Sequence, residues 1–230
     1  MDKFSWTNEE LSALRSLILD HHKIVIFPHT APDGDALGCT LAWSGILRQI
    51  HPSASVHVIS PDFVEDYLSW LPHLDELQIY STDPKHCLQL ISEADLIFHL
   101  DHNQCSRLRH PDLVMAAQAS QAARVLIDHH LDPEPGCDLV FSYPEASATC
   151  ELIHSIICAL GWREYVTPEL ATLLLTGLIT DTGRFMYSHL SPHLFRTTSD
   201  LLELKADYPC IIDRLSYHNP ERQIRLQGYV

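Results

Sequence analysis

The sequence predicts an α/β fold: a mostly parallel, doubly wound sheet with helices on both faces, followed by a helical C-terminal portion. Three observations carry this reading. Short unbroken apolar runs recur between residues 23 and 141. Stretches of helical period separate most of them. Beyond about residue 145 the strand-like runs stop and only helix-like segments continue.

The elements follow in order. Thr7-Asn8-Glu9-Glu10 is a capping box, with Glu10 three positions after the cap. A helix should run from there to about His21, with Leu11, Leu14, Ile18 and Leu19 facing inward. Residues 23–28 (KIVIFP) read as the first buried strand, and 55–60, 77–80, 95–100, 124–127 and 138–141 as further strands. Helices are expected over 36–49, 84–92 and 111–119 between them. Four more are expected over 147–160, 168–180, 192–204 and 208–217. Residues 219–230 also read as helical.

Composition narrows the function. Lys+Arg number 15 against 30 Asp+Glu, a formal charge of −15. Such a surface lacks the electrostatic footprint of a long-duplex DNA binder. An anionic substrate would need local cations, either clustered Arg or bound metal. The 16 His are the first hint of metal. No apolar run approaches the roughly 20 residues of a membrane span, so no membrane partner is expected. The N-terminal MDKFSWTNEE lacks a signal-peptide core, so a cytoplasmic location is expected. Seven scattered Cys with no C-x-x-C pair argue against a disulfide scaffold and a zinc ribbon.

In parallel sheets, ligand groups collect at the carboxyl ends of strands. The first strand runs into His29, Asp33, Gly34 and Asp35. The strand over 95–100 runs into Asp101, and that over 124–127 into Asp128-His129-His130. The helix over 168–180 ends at Asp181. Taken singly, each is bland: Asp33-Gly34-Asp35 reads as a tight turn plus an N-cap, and Asp128-His129-His130 as a polar loop. Together they are not explained by capping. Packed carboxylates repel and are costly to desolvate, and divalent cations remove that conflict. A mixed carboxylate and imidazole set suits Mn²⁺ or Fe²⁺, whereas Zn²⁺ favours thiolates and fewer ligands.

Four motifs in order, His29/Asp33/Asp35, Asp101, Asp128-His129-His130 and Gly177-Leu178-Ile179-Thr180-Asp181-Thr182-Gly183-Arg184-Phe185, resemble the DHH phosphoesterase family over roughly residues 20–190. Within it, the bacterial oligoribonucleases that also dephosphorylate 3′-phosphoadenosine 5′-phosphate look most similar. RecJ-type exonucleases and family II pyrophosphatases look more distant. The resemblance implies a DHH catalytic domain over 1–190 and a helical extension over 191–230 leading to a linker. It implies two divalent ions, Mn²⁺ being favoured. His29 and Asp33 would hold one; Asp35, His129 and Asp181 the other; Asp101 would bridge. Asp128 would orient a ligand His through its other ring nitrogen. His130 would face the substrate phosphate as an acid.

The implied reaction is attack of a metal-bridging hydroxide on short oligoribonucleotides or phosphorylated nucleotides. Inorganic pyrophosphate or polyphosphate hydrolysis, and nucleotide binding with low activity, are the alternatives; a homodimer is the assembly considered. Arg184 reads equally as a phosphate clamp or a surface residue. Ser147 reads as a helix cap whose helix could also point at phosphate. Full-length relatives carry a second domain with a Gly-Gly-Gly-His loop; that motif is absent here, so this substrate-binding domain is expected to be missing. Other His take blander roles: His21-His22 closing a helix, His51, His57 and His73 on the surface, His99 as a satisfied core residue. His102, beside Asp101, is a minor metal candidate. The Trp and Cys residues read as packing.

Overall fold

The computed structural model describes residues 3–187 and 190–217; the 219–230 segment lies outside them. Six strands form one parallel sheet: β1 (Lys23–Phe27), β2 (Ser55–Ser60), β3 (Leu77–Ile79), β4 (Leu96–Leu100), β5 (Ala123–Asp128) and β6 (Leu139–Ser142). Their order is β3-β2-β1-β4-β5-β6. Val25 of β1 registers with His57 of β2 on one side and Ile97 of β4 on the other. Chain order therefore reverses between β1 and β4, which makes their carboxyl ends the crevice of the sheet.

Alternation along the strands assigns two faces. Ile24 and Ile26 join the larger core, with residues of α1 (Asn8–Asp20), α2 (Gly34–Ile50), α5 (Thr149–Ala159) and α6 (Pro168–Asp181). Val25 and Phe27 point the other way, onto α3 (Pro84–Glu93) and α4 (Pro111–Ala119). The chain closes with α7 (Pro192–Glu203) and α8 (Tyr208–Tyr217). The doubly wound sheet and the helical second half are as the sequence predicts.

The Thr7–Glu10 capping box forms in full. Leu14 and Ile18 are buried, but Leu19 is exposed and Leu11 only half-buried. Leu19 lies about 100° around the helix from Ile18, off the core-facing stripe.

Two further expectations are corrected here. Gly34 does not serve a tight turn. It opens α2 with ordinary helical geometry, and a Cβ there would lie 2.5 Å from Thr180 Oγ1 on α6. Close approach of two helices is what demands it. Ser147 does not cap α5. The cap position is Ala148, whose own side chain makes no capping bond. The opening amides of α5 have another acceptor, which belongs to the site.

Candidate metal centre

The loop after β1 begins with buried His29. Its Nδ1 donates to the Thr30 carbonyl at 2.7 Å. A carbonyl only accepts, so Nδ1 carries a proton and Nε2 is the atom turned to the carboxylates. It lies 3.5 Å from Asp101 Oδ2 and 3.8 Å from Asp33 Oδ2.

Asp33 plays two parts. Its Oδ1 accepts from Asp35 N and Ala36 N, both at 3.0 Å, and so caps α2. Its Oδ2 remains for His29. Capping is thus observed, and the second oxygen is placed as a ligand role would require.

Asp35, in the first turn of α2, is buried. Thr149 N donates to its Oδ2 at 2.6 Å and Cys150 N to its Oδ1 at 2.9 Å. The N-terminus of α5 thus grips a carboxylate of the protein itself. Asp101 follows β4 with φ of 61°, a left-handed conformation uncommon for a side-chain residue. Thr149 Oγ1 donates to its Oδ1 at 2.9 Å.

His129 repeats the logic of His29. Its Nδ1 faces the Ala146 carbonyl at 3.4 Å. Its Nε2 lies 3.4 Å from Asp181 Oδ2, 3.5 Å from Asp101 Oδ1 and 4.0 Å from Asp35 Oδ2. The two imidazoles therefore address opposite oxygens of Asp101.

Donor atoms of His29, Asp33 and Asp101 lie within 4.8 Å of one another, as do those of Asp35, His129 and Asp181. All six residues named from the sequence as ligands converge. Burial pushes the Asp101 carboxyl well above its ordinary value, and repulsion from Asp35, Asp33 and Asp181 adds to it. Burial also raises Asp35, against the attraction of His129. Asp181 is pushed up to about 8 by burial and then by Asp35 and Asp33. Carboxylates crowded in this way are costly to ionise through both burial and mutual repulsion. Divalent cations between them remove both conflicts, so the donor set fits such ions.

Three expectations change. Asp128 orients His130, the residue expected to face phosphate, rather than one of the expected ligand His: His130 Nδ1 donates to Asp128 Oδ1 at 2.8 Å and His130 N to Oδ2 at 3.0 Å. Asp128 ends β5 and His130 follows it by two residues, whereas the Nδ1 of His129 faces the Ala146 carbonyl. Arg184 is no clamp here. Its Nη2 donates to the Leu215 carbonyl of α8 at 2.6 Å. The cleft is instead lined by Arg107, which sequence reasoning missed. Ser147 donates its backbone N–H to Glu151 Oε2 at 2.7 Å and lines that cleft. The cleft has a volume of about 800 Å³, and His129, His130, Asp181 and Tyr187 also line it.

Arg107 stands in a 3-10 turn (Cys105–Leu108) after β4, and its carbonyl accepts from Thr30 N at 2.9 Å. Its one sequence signal is its place downstream of Asp101. Asp62, also missed, ties the β1 loop by accepting from Thr30 Oγ1, Ala31 N and His110 Nε2.

His102 uses both ring nitrogens, on the Leu100 carbonyl and on His99, and faces no cation site. His99 is buried but not satisfied: Nδ1 meets His102 while Nε2 has no partner. Burial drops it to about 4, so it stays neutral. His21 closes α1 by bonding the Leu17 carbonyl. His51, His57 and His73 are half-buried rather than surface residues, and His73 pairs with Glu76 at 2.8 Å. Cys39, Cys87 and Cys150 pack in the core, but Cys158 is exposed. Among the described residues no helix is long and apolar enough to cross a membrane.

An all-parallel sheet whose crevice gathers four carboxylates and two imidazoles gives a doubly wound α/β domain with a candidate divalent-cation centre. The profile described as "DHH family, N-terminal domain" matches residues 23–178. The chain belongs to the DHH family. It is 30% identical over 210 residues to the Bifunctional oligoribonuclease and PAP phosphatase NrnA of Thermus thermophilus, covering 90% of this chain and 57% of that protein. It is 28% identical over 217 residues to the protein of the same name from Mycoplasma pneumoniae, covering 94% of this chain and 63% of that one. The crystal structure of an exopolyphosphatase-related protein from Bacteroides fragilis superposes with a TM-score of 0.94 at 32% identity, over 100% of this chain and 66% of that chain. The chain thus spans less than two thirds of the length of these relatives.

Proposed function

We propose that this chain carries the catalytic centre of a metal-dependent phosphoesterase acting on short oligoribonucleotides and on 3′-phosphoadenosine 5′-phosphate. The observation that carries the reading is the pair of Nε2 atoms, on His29 and His129, facing opposite oxygens of buried Asp101. His29 and Asp33 would hold one cation; Asp35, His129 and Asp181 the other; Asp101 would be shared. Mn²⁺ is the favoured ion for such nitrogen and oxygen donors. Bound there, the two ions would acidify a water and offset charge on the phosphoryl oxygens.

The chain's own residues do the rest. Asp128 holds His130 by ring and backbone, so His130 is aimed before substrate arrives. Arg107 in the cleft offers a cation for the substrate phosphate. The amides of α5 keep Asp35 from rotating away. Residues 1–190 are taken as the catalytic domain and 191–230 as a helical extension leading to a linker. The two NrnA relatives, whose names carry both activities, support the substrate class. The name of the Bacteroides fragilis neighbour favours polyphosphate as the second reading. In the cytoplasm, the compartment this reading assigns, the seven free cysteines would stay reduced.

The test is a Mn²⁺-supplemented panel of dinucleotide, 3′-phosphoadenosine 5′-phosphate, pyrophosphate and polyphosphate. Dinucleotide and bisphosphate turnover are expected, with Asp101→Ala lowering both by about 10³-fold, since several kcal/mol of charge stabilisation depend on it. Brisk dinucleotide cleavage by Asp101→Ala would defeat the proposal. Preference for polyphosphate would favour the second reading.

A further inference from the structure

Away from the paired centre, a second cavity of about 550 Å³ opens between the N-terminal segment, α5 and α7. None of the six candidate ligands lines it. On α5, His154 and Cys158 are four residues apart and so share one face. On α7, Asp200 meets them. His154 Nε2 lies 2.7 Å from Asp200 Oδ2, and Cys158 Sγ lies 3.8 Å from His154 Nε2. Donor atoms of all three fall within 4.8 Å of one another. His154 is buried, whereas Cys158 is exposed to incoming solutes.

We propose that His154, Cys158 and Asp200 form a zinc-binding site separate from the paired centre, with the fourth coordination position open to the cavity. One thiolate, one imidazole and one carboxylate are donors that Zn²⁺ takes at a tetrahedral site. Oxygen-preferring Mn²⁺ gains nothing from the sulfur. Zn–S of about 2.3 Å and Zn–N of about 2.0 Å at a tetrahedral angle put sulfur and nitrogen about 3.5 Å apart. The observed 3.8 Å is close to that. The imidazole and carboxylate must part by about half an ångström from hydrogen-bond contact, within reach of a small side-chain rotation.

Charge also balances. Burial alone would lower His154, but its hydrogen bonds with Asp200 and Cys158 raise it to about 9, so a proton occupies Nε2 at neutral pH. Zinc would displace that proton and the thiol proton of Cys158. Two positive charges leave and two arrive. Arg163 holds the other oxygen through Nε at 2.9 Å and Nη2 at 2.5 Å, and zinc would displace only the second contact of its Nε, to Oδ2 at 3.1 Å. The other charged or titratable groups lining the cavity are Arg196 and His193. Arg163 and Arg196 oppose a cation, and the new thiolate together with Asp200 offsets them.

The proposal stands apart from the phosphoesterase reading, and its readout does not involve activity. Co²⁺ bound to a thiolate has a sulfur-to-metal charge-transfer band in the near ultraviolet. The candidate ligands of the paired centre carry only nitrogen and oxygen donors. The full chain titrated with Co²⁺ should therefore develop this band at one equivalent beyond the paired centre. Zn²⁺ should abolish it, and Cys158→Ser and Asp200→Asn should remove or weaken it at least tenfold in affinity. Zinc should also slow alkylation of Cys158 in the unaltered protein by at least tenfold, a measurement needing no variant. No thiolate band at saturating Co²⁺, or a band that survives Cys158→Ser, would overturn the proposal. So would unchanged alkylation in excess zinc.

Discussion

Asp35 is held from two sides. The amides of Thr149 and Cys150 take its oxygens, and Gly177 of α6 leaves room for its backbone. A Cβ at position 177 would meet Cys150 Sγ and lie 2.7 Å from Asp35 Oδ1. Gly177→Ala should therefore cost about 1–3 kcal/mol, because α6 must retreat, and should weaken Mn²⁺ binding. Thermal melts with metal titration check this; a wild-type melt would remove the packing argument. Asp128→Asn removes the anionic partner that aims His130. Turnover should fall about 10- to 100-fold while Mn²⁺ affinity stays within twofold, read from kcat against metal concentration. The six candidate ligands were legible in the sequence because each follows a strand end, opens a helix or closes one. Asp128, Ser147 and Arg184 were misassigned because sequence order gives neighbours and not distances. Arg184 lies three residues after Asp181, yet α8 takes its guanidinium. Arg107 belongs to none of the four motifs, though only six residues after Asp101, yet lines the cleft.

Strands and helices were legible from period and end signals, with boundaries off by a residue or two. The start of α5 was not, because its amides are satisfied by Asp35, 114 residues away, and no local cap marks it. The contact of α5 with α7 escaped notice for the same reason. There His154 is protonated up to about 9 by its partners, while hydrogen bonds from His154 and Arg163 hold the Asp200 carboxyl below its ordinary range. A raised imidazole stabilises the fold fully below its ordinary value of 6.5, and that share is lost as pH rises through about 9. The melting-temperature advantage of the wild type over His154→Gln should thus shrink between pH 6.5 and 9 in metal-free buffer. A constant difference across that window would show that the pair does not link α5 to α7 by charge.

The parallel sheet was legible in the sequence, but its strand order was not: pairing is decided by register across the whole domain, and β1, flanked by β2 and β4, carries no local mark of either partner. That order puts the crevice between β1 and β4 and explains why the distant motifs meet. With a net charge of −15, the molecule gathers four carboxylates in one cleft, so cations should stabilise it as a whole. Mn²⁺ at about a hundred times its dissociation constant should add about 2.7 kcal/mol, or roughly 5–10 °C of melting temperature. Calorimetry checks it, and Asp101→Ala should show little of the gain.

The grip of α5 on Asp35 also sets a timetable for biosynthesis. His29, Asp33 and Asp35 leave the ribosome early, but their geometry waits for an amide pair translated more than a hundred residues later. A chain made only as far as β6 therefore lacks the donors that fix Asp35. The candidate centre is complete only once the late helix docks.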